Sequence, residues 1–337
     1  LMMEKDASGY RETLFILPPN LIEERWTGSR MKPEEIEAVS MISSFAYKET
    51  FEEELKKVLT SGRIQKVYLD IDRMEGQVVV SAADSMEAFL KQEYPSMPIE
   101  NSLPIMKMLR LIKKPCEIRA MEKAQEITKA GILAMMTHSK PGMYEYQYKA
   151  EYDYALAQHG VLEAGFPSII SAGKNNFCIH YYGYRGQAMD GDIVLNDVGV
   201  RWDNELTDVS RGWPCNGKYS SRQKLLFECQ YNTSEHMFSM LKPGIPMKEV
   251  DAEIRRYCFE QLKEAGVCKS FDDIGTYMWH GGAHHVGFDT HDVVSARDAI
   301  IQPGMVFCVD IGIYHEEWGI GFRLEDNCLI TEDGCRN

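Results

Sequence analysis

Two acidic residues stand where a buried strand should carry apolar side chains, and this placement needs a chemical reason. Asp197 comes at the end of the apolar stretch 193–195, and Asp310 at the end of the stretch 305–309. Because alternate residues of a strand share a face, each carboxylate continues an apolar face. A carboxylate in that position is costly unless it is paired or binds a cation. Taken singly, each acid could instead be a turn residue before the glycine two positions later.

Each of these acids is followed by a second acid that a hairpin would bring back to it. Asp208 lies eleven residues after Asp197, beyond a turn-like stretch. Glu325 lies fifteen residues after Asp310, beyond the turn-rich stretch 315–321. Two antiparallel hairpins would therefore each provide one acid on an outgoing strand and one on the returning strand.

Histidines are concentrated between the two predicted hairpins. Four of the nine histidines fall within twelve residues, at positions 280, 284, 285 and 291. Gly281 and Gly282 disfavour a helix there, so we expect an irregular or extended segment that turns one or two imidazoles inward. Four carboxylates and an imidazole suit a pair of divalent ions such as Mn²⁺, Co²⁺, Fe²⁺ or Zn²⁺. Two ions about 3.5–4 Å apart can hold a bridging hydroxide, which predicts hydrolysis of an amide.

The elements that position these residues recur along the chain. A Lys-Pro-Gly sequence followed by a helical pattern occurs at 140–142 and again at 242–244. Each copy leads to a strand, 191–199 or 304–312, in which an aspartate precedes a glycine by two positions. This repetition predicts a duplicated helix–helix–strand unit that places the two acids at equivalent points about a pseudo-two-fold axis. The alternative is a coincidence of common turn signals.

The first 105 residues have a different character and predict a small α/β domain. Strands are expected at 13–17 and 66–70, and helices at 51–59 and 86–94. The segment 101–104 forms the expected boundary, so we predict an amino-terminal domain of residues 1–105 and a catalytic domain of residues 106–337.

Composition excludes several classes of protein. The net charge of −14 argues against a partner of nucleic acid, which needs clustered basic residues. No apolar run approaches the roughly 18 residues of a membrane span, and the start of the chain lacks the features of a signal peptide. The nine cysteines form no Cys-x-x-Cys pair, which predicts reduced thiols in a cytoplasmic protein. Because the first residue is not Met, we expect the chain to be a fragment of a longer one.

Several motifs together resemble the pita-bread metallopeptidases, which include methionine aminopeptidase, Xaa-Pro aminopeptidase, prolidase and the metal-free relative creatinase. The resemblance covers roughly residues 107–337. The matching blocks are 196–199, 207–219, 280–292, 303–306 and 323–326. It implies an α+β pita-bread fold with an internal pseudo-two-fold, here preceded by the small α/β domain. The presence of that first domain favours the Xaa-Pro aminopeptidase, prolidase and creatinase branch.

The resemblance also implies which residues bind metal ions. Asp197 and Asp208 would bind one ion, and His284 and Asp310 the other. Asp208 and Glu325 would bridge both ions.

Further residues would act on the substrate. His180 and His291 would lie near the substrate carbonyl, and His280 would be a supporting histidine of the active site. Asp310 would also carry a proton during catalysis, and Arg323 would lie behind the ligands and hold a bridging carboxylate in place.

Two residues depart from the pattern of the family. Asp310 stands where the family usually has Glu, so the strand must approach more closely or one metal ion binds more weakly. Val294 stands where members often have Gly and is expected to reshape the substrate pocket. The amino-terminal part is also shorter than in most prolidase-like relatives.

These observations predict a dinuclear metallopeptidase that hydrolyses Xaa-Pro bonds by a metal-bridging hydroxide, as an Xaa-Pro aminopeptidase or an Xaa-Pro dipeptidase. Mn²⁺ is the preferred ion, with Co²⁺, Zn²⁺ or Fe²⁺ as alternatives, and a homodimer is expected. One alternative is a creatinase-like C–N hydrolase or a lyase acting on a small metabolite, although the five retained ligand positions argue against a metal-free enzyme. Another alternative is a non-catalytic pita-bread protein that binds peptides.

Overall fold

A computed structural model describes residues 1–71, 80–293 and 299–337 of the protein. The chain divides into two compact units, Leu1–Pro104 and Ile105–Asn337. The boundary predicted at residue 105 lies one residue from this division. Val294 falls outside the described residues.

The first unit is a small α/β structure. Its strands are β1 (Met2–Asp6), β2 (Gly9–Ile16), β3 (Phe45–Tyr47), β4 (Val67–Leu69) and β5 (Ile99–Asn101). Its helices are α1 (Leu21–Thr27), α2 (Pro33–Ser40), α3 (Phe51–Thr60) and α4 (Ala82–Glu93). Strand β2 pairs antiparallel with β1 and parallel with β3, and β4 pairs parallel with β5. Both predicted strands and both predicted helices overlap elements of this unit.

Apolar spacing explains why the predicted helices of this unit form. Leu55 and Leu59 of α3 are one turn apart and are buried together with Leu90 of α4. Ser81 begins α4 by accepting a hydrogen bond from the backbone N–H of Asp84 at 3.1 Å. Helices α1 and α2 contain no buried residue, so they lack the apolar periodicity that would have revealed them in the sequence.

The second unit combines helices with a large antiparallel sheet. Its helices in the described ranges are α5 (Leu103–Leu111), whose first two residues precede the division, α6 (Pro115–His138), α7 (Glu145–Gln158), α8 (Ser221–Met240) and α9 (Met247–Glu264). Its strands are β6 (Ile169–Ala172), β7 (Ile193–Val198), β8 (Arg201–Trp202), β9 (Glu205–Leu206), β10 (Val209–Pro214), β11 (Ala283–His285), β12 (Val306–His315), β13 (Ile320–Ile330) and β14 (Cys335–Arg336). None of the helices in the described ranges has the length and apolarity needed to cross a bilayer.

The order of elements in the second unit repeats, as the sequence predicts. Helix α6, a Lys-Pro-Gly turn, α7 and the pair β7 and β10 form the first half. Helix α8, a second Lys-Pro-Gly turn, α9 and the pair β12 and β13 form the other half. Gly142 and Gly244 occupy matching turns with φ of 86° and 95°, a backbone conformation that glycine adopts without strain.

One sheet joins the two halves. Its strands lie in the order β11, β12, β13, β10, β7 and β6, and β14 pairs with β13. Helices α6 and α7 pack over one part of the sheet, with Ile127 and Tyr152 in their core, and α8 and α9 over the other, with Leu226 and Ile254. Every residue of β12 is buried, so the polar side chains on this strand are shielded from bulk water.

The close packing of α6 on α7 gives a first testable prediction. A Cβ atom added at Gly131 of α6 would lie 2.5 Å from Cε2 of Tyr152, a side chain that is fully buried. We expect Gly131→Ala to lower the free energy of unfolding by about 1–3 kcal/mol because the ring has little room to move. Denaturant unfolding of the purified variant measures this loss.

A matched control for this variant is Gly275→Ala. Gly275 lies in a short 3₁₀ helix, and an added Cβ would meet nothing within 4 Å in the described structure. Its free energy of unfolding should change by less than about 0.5 kcal/mol. Equal stability of the two variants would contradict the tight packing of α6 against α7.

Candidate active site

The register of the central sheet brings acidic residues into one row. Asp310 pairs with Glu325, Glu325 pairs with Ser210, and Ser210 pairs with Asp197. Residues directly opposite one another in antiparallel strands point to the same face, with Cβ atoms about 4.5–5.5 Å apart. Asp208 lies two residues before Ser210, and burial together with the nearby carboxylates of Glu325 and Asp197 raises its pKa. Each hairpin therefore returns its second acid to the first, as predicted.

A second row lies two residues farther along the same strands. His284 of β11 pairs with Cys308 of β12, which pairs with Asn327 of β13. The Nε2 atom of His284 is 3.2 Å from Oε1 of Glu325 and 3.7 Å from Oδ2 of Asp208. The imidazole of His284 therefore points into the acidic cluster, on the extended segment that the two glycines before it favour.

Four side chains form a compact group of potential ligands. The group consists of Asp208, His284, Cys308 and Glu325, whose ligand atoms all lie within 4.8 Å of one another. Three of them are ligands that the resemblance implies, and Cys308 is an addition. The other two predicted ligands, Asp197 and Asp310, flank the group. Oδ2 of Asp197 is 2.9 Å from Arg323, and Oδ2 of Asp310 is 3.2 Å from Nδ1 of His280.

The electrostatics of this cluster fit a bound cation. One carboxylate oxygen each of Asp197, Asp208 and Asp310 is buried without a hydrogen-bond partner in the described part of the chain. Burial, together with the nearby carboxylates of Glu325 and Asp197, raises the pKa of Asp208 well above its ordinary value. Burying such an oxygen without a partner costs free energy, and a bound divalent cation removes this cost. Oxygen and imidazole donors also suit a divalent cation. The residues present therefore fit a metal centre.

The structure corrects the predicted contact of Arg323. This residue is 2% exposed, and its guanidinium donates to Oδ2 of Asp197 at 2.9 Å and to the hydroxyl of Tyr314 at 3.1 Å. It reaches Glu325 only through Ser210, whose hydroxyl is 3.4 Å from Nε of Arg323 and donates to Oε2 of Glu325 at 2.9 Å. Arg323 therefore orients Asp197 directly and not a predicted bridging carboxylate, because its side chain extends across β10 toward β7.

His280 lies beside Asp310 at one end of the cluster. Its Nδ1 is 3.2 Å from Oδ2 of Asp310, and its Nε2 is 3.1 Å from the hydroxyl of Tyr314. Burial opposes the charged imidazolium, but the neighbouring carboxylate of Asp310 raises the pKa of His280 to about 9. The pair can therefore hold a proton next to the potential ligands.

Both glycines of the repeated Asp-x-Gly pattern have a steric role. A Cβ atom at Gly312 would overlap Nε2 of His280, and one at Gly199 would overlap the backbone oxygen of Thr207. Glycine at 312 thus leaves room for the imidazole beside Asp310. Glycine at 199 lets the returning chain pass close to β7 just before Asp208.

The histidine loop places His291 near the ligands. The ring centroids of His291 and His284 are 4.3 Å apart. An antiparallel backbone β-bridge between His285 and Asp292 closes the loop. The carboxylate of Asp292 is 2.6 Å from Nη2 of Arg110. His291 is exposed. These contacts hold the imidazole of His291 next to that of His284.

His180 is exposed and lies beside an aromatic residue. It follows the 3₁₀ helix Gly173–Phe177, and its ring centroid is 6.5 Å from that of Tyr182. The role of His180 at the substrate carbonyl, which the resemblance implies, stays a prediction.

His285 points to the opposite side of β11 from His284. It is 3% exposed, and neither ring nitrogen has a hydrogen-bond partner among the described residues. Burial and the positive charge of Lys113 lower the pKa of His285 to about 4. The neutral imidazole is therefore the form that the fold stabilises.

This burial gives a second testable prediction. An imidazole with a folded pKa of about 4 and an unfolded pKa of 6.5 contributes stability above pH 6.5 that is lost as the pH falls toward 4. We expect this loss to be on the order of 3 kcal/mol in chelator-treated protein and to be missing in His285→Gln. Unfolding curves of both proteins between pH 7 and pH 4 measure the difference. Parallel pH profiles would refute the assignment.

Sequence reasoning missed three polar residues of the site, Cys308, Ser210 and Asn327. The amide of Asn327 donates to the backbone oxygen of Asp208 at 2.7 Å and to Sγ of Cys308 at 3.3 Å. Each missed residue is two positions from a predicted ligand on the same stretch of chain. The alternation of strand side chains was therefore the signal that could have found them.

Comparisons with known proteins agree with this geometry. Residues 119–332 match the model of metallopeptidase family M24, and residues 1–68 match the amino-terminal domain of aminopeptidase P. The chain is 31% identical to Xaa-Pro aminopeptidase of Escherichia coli over 252 residues, which are 69% of this chain and 57% of that protein. It is 28% identical to Xaa-Pro aminopeptidase of Haemophilus influenzae over 354 residues, covering 99% of this chain and 80% of that protein.

Solved structures extend the likeness to the whole fold. A structure of a candidate aminopeptidase P from Bacillus anthracis superposes with a TM-score of 0.96 at 31% identity, over 99% of this chain and 80% of that one. Aminopeptidase P of Escherichia coli in complex with substrate superposes with a TM-score of 0.87 at 26% identity, over 98% and 79%. The predicted pita-bread fold is thus confirmed, and the chain belongs to metallopeptidase family M24.

Proposed function

We propose that the protein is a metal-dependent Xaa-Pro aminopeptidase, which removes the first residue from peptides whose second residue is proline. The observation that carries this proposal is the buried row of Asp310, Glu325 and Asp197, joined by Asp208 and His284. Relatives named Xaa-Pro aminopeptidase support the choice of substrate.

The acidic cluster and His284 would hold the metal ions. Divalent ions bound there would supply Lewis-acid chemistry: they would polarise a carbonyl group and lower the pKa of a water molecule, so that this water becomes a stronger nucleophile. Asp208 and Glu325 are only 3% exposed each, so the low local polarity strengthens this electrostatic effect. Proton transfer and hydrogen bonding to the substrate would depend on side chains at the rim of the cluster.

The departing proline nitrogen sets a specific demand on the site. This nitrogen has no hydrogen in the Xaa-Pro bond and must gain a proton to leave as an amine. Oδ2 of Asp310, paired with His280, is suited to deliver that proton. His180 and His291 are suited to donate hydrogen bonds to the developing oxyanion at the substrate carbonyl.

The finer features of the proposal are two ions per chain, a preference for Mn²⁺ with Co²⁺, Zn²⁺ or Fe²⁺ as alternatives, a cytoplasmic location and a homodimer. Four carboxylates with one imidazole support two ions, since their four negative charges balance two divalent cations and carboxylates can bridge a pair of ions. The free thiols of the nine cysteines support the reducing compartment. The dimer rests on the family resemblance alone.

Peptide hydrolysis with defined metals tests the proposal. The full chain is stripped with a chelator, reloaded with Mn²⁺, Co²⁺ or Zn²⁺, and assayed on Xaa-Pro-led tripeptides, Xaa-Pro dipeptides and matched Xaa-Ala peptides. We expect metal-dependent release of the first residue from the proline peptides, with slower turnover of the dipeptides and little of the alanine peptides. No turnover with any ion, or equal cleavage of the alanine peptides, would overturn the proposal.

A further inference from the structure

Cys308 lies within the group of potential metal ligands. We propose that its thiolate binds one of the metal ions directly, so that sulfur joins the oxygen and nitrogen donors of the site. This inference rests on the proposed metal centre and adds a ligand to it.

The sheet fixes the position of this thiol. Cys308 and Asp310 are two residues apart on β12 and share the face that carries the acidic row. On one side Cys308 pairs with His284, and on the other side with Asn327. Its Sγ atom lies within 4.8 Å of ligand atoms of Asp208, His284 and Glu325. The thiol therefore stands between a metal-binding imidazole and the carboxylates, and has no exposed surface.

A buried carboxylate oxygen near the thiol is independent evidence for a bound cation. Oδ1 of Asp208 is buried, and no donor in the described ranges reaches it. Asp208 is 3% exposed and belongs to the same compact group as Cys308. A bound cation would satisfy this oxygen and bring the sulfur within its coordination sphere.

Asp310 has a different partner, which gives Cys308 its place in the group. Oδ2 of Asp310 faces the imidazole of His280 at 3.2 Å, and Asp310 does not belong to the compact group found within the described chain. On the same strand face, Cys308 does belong to it. The strand thus presents a sulfur atom within the compact group, two positions before a carboxylate whose Oδ2 is paired with His280.

A thiolate ligand has consequences for metal choice. Coordination replaces the S–H bond with a sulfur–metal bond, and the proton leaves to solvent. Thiolates favour Zn²⁺ and similar softer ions over Mn²⁺, which prefers oxygen donors. The ion next to Cys308 should therefore be of the zinc or cobalt class.

Spectroscopy on the metal-loaded full chain tests this inference. Co²⁺ is added to chelator-stripped protein without oxygen, and the bound ion is quantified. We expect a sulfur-to-cobalt charge-transfer band in wild type that is lost in Cys308→Ser. X-ray absorption of the zinc-loaded protein should show sulfur at about 2.3 Å, besides oxygen and nitrogen at about 2.0–2.2 Å. Cys258→Ser is the matched control, because Cys258 is a fully buried thiol in the core of α8 and α9, and it should retain both signals.

The outcomes separate the inference from the proposed function. Bound Co²⁺ or Zn²⁺ without any sulfur signal in wild type would overturn the role of Cys308 and leave the metallopeptidase intact. Failure of wild type to bind either ion would overturn both. If Cys308→Ser does not fold, the X-ray absorption of wild type with Cys258→Ser still decides the question.

Discussion

Replacing Glu325 with glutamine is expected to lower kcat/KM for an Xaa-Pro peptide by at least about a thousandfold, roughly 4 kcal/mol of transition-state stabilisation. Glu325 lies at the centre of the row, opposite both Asp310 and Ser210, and its carboxylate contacts Nε2 of His284 at 3.2 Å. The amide keeps the shape of the side chain but removes the negative charge. Peptide assays and metal analysis of the purified variant measure both effects.

A buried glutamate elsewhere controls for the loss of a charge. Glu205 is 2% exposed, lies outside the ligand group and has a pKa that burial raises. Glu205→Gln should bind metal and cleave peptide at close to the wild-type rate. Full activity of Glu325→Gln, or an equal loss in Glu205→Gln, would be incompatible with the proposed centre.

Replacing Arg323 with methionine should destabilise the metal-free protein by about 3–5 kcal/mol. The side chain is almost fully buried, and its ion pair with Asp197 is the direct contact that balances this carboxylate. Methionine fills much of the space but leaves the carboxylate beside other acids. Denaturant unfolding in the presence of a chelator measures the loss.

A double-variant cycle identifies the source of that loss. Adding Asp197→Asn removes the unpaired charge, so the double variant should recover most of the stability that Arg323→Met loses. Additive losses in the two variants would show that the ion pair is not the cause. Metal binding should be weakened in every protein that lacks Asp197.

The sequence predicted the acidic cluster well because its signals are local. Two hairpins contain all of these signals. They are the alternation of strand side chains, the turn residues, and the sequence separations of Asp197 from Asp208 and of Asp310 from Glu325. The same rules predicted α3 and α4, whose apolar residues recur at helical spacing. Short elements with no buried face, such as α1 and α2, gave no such pattern.

Features that depend on the order of strands could not be predicted in this way. Arg323 reaches Asp197 only because β10 lies between β13 and β7, and nothing in a single hairpin specifies that order. Cys308 looks like one more apolar residue of β12, and its place beside His284 depends on the pairing of β11. Local patterns define elements, whereas long-range pairing defines the neighbours of each side chain.

The two hairpins meet at one registered position, where Ser210 of β10 faces Glu325 of β13. Neither repeat alone carries all of the proposed ligands, because one contributes Asp197 and Asp208 and the other His284, Asp310 and Glu325. An ion bound by ligands from both repeats would link β10 to β13. Its binding free energy would then add to the free energy of unfolding of the whole unit. Loss of the ion should therefore weaken the pairing of β10 with β13 first. A shortage of metal would lower the stability of the fold as well as the enzymatic activity.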